Sequence, residues 1–81
     1  MAVSGASHVN PQIAYYLNDF ENGNPMYVGK SAGGNLWLVQ KYNQSTGEMV
    51  YAVPPTNPGI LTYEDAWTAR GTLNYARYQA T

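Results

Sequence analysis

The sequence predicts a mainly β fold: a small antiparallel sheet (a meander or partial barrel), one short helix near the C-terminal end and an extended N-terminal arm. Three observations predict it. Leu36 to Tyr42 and Glu48 to Val53 are two apolar, β-branched and aromatic runs separated by a short turn ending in Thr46-Gly47, the pattern of a hairpin. Pro54 to Gly59 contains three prolines and cannot continue a central strand, because proline donates no backbone hydrogen bond. Thr62, followed by Glu64 and Asp65 and then by Gly71, carries the start and stop signals of one short helix.

Taken in order, Met1 to Gln12 is small, polar and aperiodic, and it reads as the arm. Residues 13–81 form a single small β domain. Ile13 to Leu17 is apolar but too short for periodicity to choose between strand and helix. Asn22-Gly23-Asn24-Pro25 breaks the chain, and Met26-Tyr27-Val28 starts a strand. Gly33-Gly34 marks a connection before the hairpin. After the helix, Thr72 to Tyr78 resumes strand alternation. Alternation along the strands would put Leu36, Leu38, Val50, Ala52, Val28 and Leu73 on one buried face, with Trp67 capping it from the helix. Trp37, Val39 and Lys41 would then face the other way. With apolar groups on both faces, the sheet calls for a second layer or a partner.

Composition narrows the function. Eight tyrosines stand beside one histidine, no cysteine and a net charge of -1, with 11% charged residues. A typical domain is about 25% charged. Tyrosine combines a large apolar ring with a polar tip, which suits contact surfaces. The dispersed cations Lys30, Lys41, Arg70 and Arg77 give no phosphate-tracking groove, so nucleic acid is not an expected partner. A membrane is not expected either, since no apolar run approaches the length of a span. Met1 to Asn10 lacks the charged and apolar regions of a signal peptide. His8 alone cannot make a zinc site. No cofactor and no metal are expected.

Motifs with chemical meaning are weak. Gly29-Lys30-Ser31 looks like the end of a phosphate loop, but that pattern requires glycine at position 24, where Asn24 stands. A serine nucleophile would have to rely on His8 in the least structured stretch. Glu64 and Asp65 are neighbours on a helix and diverge, so they read as helix-start charges rather than an acid/base pair. Arg70 at the helix end suits three roles: covering carbonyls, stacking on Trp67 or Tyr75, or pairing with an acid across an interface. Trp37, Tyr42, Tyr51 and Tyr63, with Asn35, Asn43 and Gln44, would suit either subunit contact or a platform for sugar. Tyr15 and Tyr16, next to the arm, are the tyrosines most in need of a partner.

Tyr27-Val28-Gly29-Lys30, a Gly/Ser-rich connection, Trp37-Leu38-Val39 with Lys41, a turn at Gly47, then Ala66-Trp67, Arg70, Leu73 and Tyr75 occur in that order. This order resembles a group of short tailed-bacteriophage proteins. The resemblance spans about Tyr27 to Tyr78 and departs at the Pro-rich loop. It implies a virion-associated or host-contact accessory protein and no enzymatic activity. The expectation is a non-enzymatic structural protein of a tailed-phage virion: head decoration, tail or fibre base. Its contacts would be with other virion proteins and with copies of itself, through Tyr15, Tyr16, Trp37, Tyr42, Tyr51, Tyr63 and Arg70. The alternatives are a carbohydrate-binding module of a fibre or adhesin, or a small host-factor-binding accessory protein.

Overall fold

The computed structural model describes residues 14–33 and 35–77. The expected arm, 1–12, lies outside them. The described chain is mainly β. Strands β1 (Tyr16–Glu21), β2 (Met26–Ser31), β3 (Trp37–Asn43) and β4 (Glu48–Ala52) form a four-stranded antiparallel meander in the order β1-β2-β3-β4. A 3-10 turn, Pro54–Thr56, and one helix, α1 (Tyr63–Thr68), follow.

Local chemistry explains the turns. Asn43 Oδ1 accepts from the backbone N–H groups of Ser45 and Thr46 at 2.9 and 3.1 Å. Gly47 then takes φ +79°, a conformation open to glycine at little steric cost. At the same end of the sheet Asn24 ties the β1–β2 connection to this turn: its Oδ1 accepts from Gln44 N at 3.0 Å and its Nδ2 donates to Ser45 Oγ at 2.8 Å. Helix α1 starts as its sequence indicates, with Thr62 Oγ1 accepting from Asp65 N at 3.1 Å. Its C-cap is Ala69, which makes Arg70 rather than Gly71 the first residue beyond the cap.

The register decides which face holds the core. Gly29 pairs with Val39, and Val39 with Ala52, so these residues look toward the same side. Trp37, Val39, Ala52 and Ala66 form the fully buried cluster, flanked by Tyr27, Ile60, Tyr63, Leu73 and Tyr75. Helix α1 therefore covers the Trp37/Val39 face. The expected buried face mixed the two sides: Val50 and Ala52 share the Val39 side and Leu73 packs on the core there, whereas Leu38 and Val28 lie on the far side. Alternation shows which residues of one strand share a face and is silent on the register between strands. Leu36 lies before β3 and is exposed. Leu38, on the far side, is buried all the same, so the sheet is apolar on both faces as expected.

Two polar contacts lock the crossing chain over the core. Trp37 Nε1 donates to the Ile60 carbonyl oxygen at 3.3 Å. Asn57, itself buried, donates to the carbonyl oxygens of Val53 and Asn74 at 3.1 Å and accepts from Asn74 N at 2.7 Å. A buried amide is tolerated because its hydrogen-bonding capacity is met. The expected strand from Thr72 is reduced to a single bridge, Ala76 with Tyr51, whose two backbone hydrogen bonds measure 2.7 and 2.8 Å. Asn74 is drawn to Asn57 instead of to a ladder.

Candidate functional site

The richest side-chain cluster lies between α1 and the β1–β2 edge of the sheet. Gly29 makes it possible. A Cβ there would stand 2.7 Å from Trp67 Cε3 and would overlap the Tyr63 hydroxyl. Without one, both rings descend onto the sheet, with centroids 6.4 Å apart and planes 20° from parallel. Tyr63 then reaches across β2 and donates its hydroxyl to Asp19 Oδ2 at 2.7 Å.

Arg70 fills the next position. Its Nε donates to Glu21 Oε1 at 2.9 Å and its Nη1 to the Trp67 carbonyl oxygen at 2.7 Å. The guanidinium carbon lies 4.5 Å from the Trp67 ring centroid and 5.8 Å from that of Tyr27, within cation–π range. Tyr75 closes the cluster, donating its hydroxyl to the Arg70 carbonyl oxygen at 2.6 Å, while Lys41 Nζ lies 5.0 Å from its ring centroid. Arg70 thus covers a carbonyl and lies over Trp67 as suggested, and the acid it pairs with is Glu21 of its own chain rather than one across an interface.

Electrostatics follow this geometry. The hydrogen bond from Arg70 holds the Glu21 carboxyl below its usual range. The same bond raises Arg70. Burial pushes the Tyr63 hydroxyl up, and its bond to Asp19 pushes it further. Burial chiefly, then Tyr27, does the same to Tyr75. Each of these shifts moves a group away from neutrality, so none of the four is poised to exchange protons near pH 7. Among the described residues, no group of three or more His, Cys, Asp or Glu side chains could hold a metal ion, and no helix is long and apolar enough to cross a membrane.

Raised tyrosines give the fold an alkaline limit. A tyrosine with a folded-state pKa above its ordinary 10.0 contributes stability that is fully present below pH 10 and is lost as pH rises through the folded value. Urea unfolding from about pH 8 upward is expected to show constant stability and then a decline beginning near pH 10. Tyr63→Phe should make that decline shallower. An unchanged slope in the variant would contradict the role given to the Asp19 bond.

The residues expected to form one contact surface are scattered. Trp37 is 0% exposed and has no area to offer a partner: it is core. Tyr63 and Arg70 are half-buried and held within the chain. Tyr42 and Tyr51 are half-buried on the opposite face, as the pairing of Tyr42 with Met26 and of Tyr51 with Gln40 requires. The four rings of the supposed sugar platform thus lie on two sides of the sheet. Tyr15 is half-buried, and burial raises its hydroxyl pKa. Tyr16 is 73% exposed.

The chain matches no family model, no curated protein and no solved structure.

The apolar surface that composition alone did not locate is β1. Leu17 is 66% and Phe20 58% exposed, beside Tyr16. A register shift between Leu17 and Asp19 marks a bulge at Asn18. In a regular strand positions 17 and 20 would face opposite ways; the bulge brings both to the side away from the helix. The pairings of Leu17 with Lys30 and Phe20 with Val28 place them there. No residue pattern within Tyr16–Glu21 announces a bulge, so this surface was not legible in advance.

Proposed function

We propose that the protein is a non-enzymatic structural subunit of a tailed-phage virion, in head decoration, tail or fibre base, acting through contacts with other virion proteins and with copies of itself. The observation that carries the contact role is β1: three large apolar side chains stand in the open along one strand, Tyr16, Leu17 and Phe20. Leu17 and Phe20 share one face, with Tyr16 on the other side of the same strand, and exposed apolar groups so grouped mark sites of association. The charged groups beside them are already engaged, Asp19 by Tyr63 and Glu21 by Arg70, which favours a contact role over proton-transfer chemistry.

The virion setting rests on the resemblance in sequence. Most of the residues that carry it have a common purpose here. Tyr27, Gly29, Trp37, Val39, Ala66, Trp67, Arg70, Leu73 and Tyr75 build the core and the Arg70 cluster. In this chain those residues serve the fold, and β1 lies outside them. Mass spectrometry of purified particles should detect the chain at a stoichiometric copy number. Its absence from particles, with the protein present in the infected cell, would overturn the virion assignment.

A further inference from the structure

The two edges of the sheet are unlike. On the β4 side Tyr51 exchanges two hydrogen bonds with Ala76, and Arg77 Nη2 lies 3.1 Å from Glu48 Oε2, so the chain itself covers that edge. On the other side, among the described residues, nothing pairs outside β1. Exposed edges are usually guarded by lysine, proline, inward-pointing charge or a bulge that twists the edge away, and of these β1 has the bulge at Asn18. Tyr16–Glu21 contains no lysine and no proline. Its two acids are drawn over the helix-side face by Tyr63 and Arg70.

We propose that β1 pairs with β1 of a second copy, antiparallel about a two-fold axis, so that two sheets continue as one. Three features of the strand favour a copy of itself. A two-fold contact must be self-complementary. In the register that sets Leu17 opposite Phe20 of the copy, the same pair recurs on the other side of the axis. Because the Asn18 bulge turns Leu17 and Phe20 to one face, the four side chains form one apolar cluster there. On the helix-side face the same register sets Tyr16 opposite Glu21 of the copy, a hydroxyl donor against a carboxylate. Charge is compatible as well: Arg70 offsets Glu21, and the Asp19 carboxylate is engaged by Tyr63.

The contact is small. Tyr16, Leu17 and Phe20 would cover roughly 400 Å² per copy, about half of the 800 Å² per partner of a standard stable interface. A single pair is therefore short-lived when free and gains strength where many copies are held together.

Covalent trapping suits such a contact, and the chain has no cysteine of its own. Full-length Leu17→Cys and Phe20→Cys proteins are made separately; both positions are exposed, and circular dichroism checks that each variant folds. Each is oxidised alone and in an equal mixture. Directly opposed residues have Cβ atoms about 4.5–5.5 Å apart, close enough for a disulfide after slight adjustment. Position 17 and its own copy are three residues apart along the strands, roughly 10 Å, beyond bridging distance. The expected result is a cross-linked dimer from the mixture and almost none from either variant alone. Equal cross-linking in all three samples, or none in any, overturns the pairing. Cross-linking of the mixture only after removal of Met1 to Gln12 would assign this edge to the chain's own N-terminal segment, and also overturns it. The experiment uses purified protein, so its outcome is independent of whether the chain is found in particles.

Discussion

Trp37→Ala is expected to remove a large share of the fold's stability. Trp37 is fully buried at the head of β3, in one cluster with Val39, Ala52 and Ala66. Truncating a buried tryptophan costs about 3–5 kcal/mol, through lost transfer energy and the cavity left behind. A domain of this size has on the order of 4–12 kcal/mol in total. The indole also holds the returning loop through the Ile60 carbonyl, and alanine leaves that oxygen without its donor. Thermal denaturation should show a midpoint lower by at least about 15 °C, or no cooperative transition. Trp37→Phe keeps most of the volume and should retain a cooperative transition at intermediate temperature. A loss below about 1 kcal/mol in Trp37→Ala would mean the core is not centred here.

Gly29→Ala is the second large effect, and its sign opposes ordinary expectation. Alanine in place of glycine within an extended strand normally stabilises by about 0.4–1 kcal/mol, because it restricts the unfolded chain. Here the added methyl would overlap the Tyr63 hydroxyl and stand 2.7 Å from the Trp67 ring. Neither neighbour yields freely. Tyr63 is bonded to Asp19, and the Trp67 ring lies beneath Arg70. Overpacking of this kind costs about 1–3 kcal/mol. Gly33→Ala is the matched control: nothing lies within 4 Å of a Cβ at that position, and its stability should stay within about 0.5 kcal/mol of the parent. The two variants are compared by urea denaturation. If Gly29→Ala were as stable as Gly33→Ala, the close approach of α1 to β2 would be wrong. The displaced Tyr63 hydroxyl should also lose its Asp19 partner, so the alkaline decline of Gly29→Ala should be shallower than the parent's, closer to that of Tyr63→Phe.

Several elements were legible because their causes are local. Gly47 at a positive φ, the Thr62 cap and the Pro54–Thr56 interruption each depend on residues within a turn of one another. Ile13 to Leu17 was ambiguous for the opposite reason. Its strand begins at Tyr16 and runs to Glu21, and what makes it a strand is its pairing with β2, not its own period. The C-terminal strand was overestimated in the same way. Alternation from Leu73 to Arg77 is real, but Asn74 is captured by Asn57, and only Ala76 reaches the ladder.

The candidate site divides along similar lines. Tyr16, expected to need a partner from its place next to the arm, is exposed. Trp37, expected to supply contact area, is core, because an aromatic ring suits an interface and an interior equally well. Nothing in the sequence marks Leu17 or Phe20, since a lone apolar residue on a strand is unremarkable until a bulge sets two together.

By itself the sequence determined a mainly β fold with a small antiparallel sheet and a turn at Gly47, one capped helix after a proline-rich interruption, and a chain rich in tyrosine and poor in charge. These follow from backbone preferences and composition, which act over a few residues or over the whole chain without regard to position. Only the tertiary structure decided which sheet face receives the helix, that Gly29 is empty because Tyr63 and Trp67 occupy its space, that Arg70 and Glu21 meet across 49 positions of chain, and that Leu17 and Phe20 stand together, exposed, on the outermost strand among the described residues. Each of these depends on register and close packing between distant segments, and neither is written in any one segment.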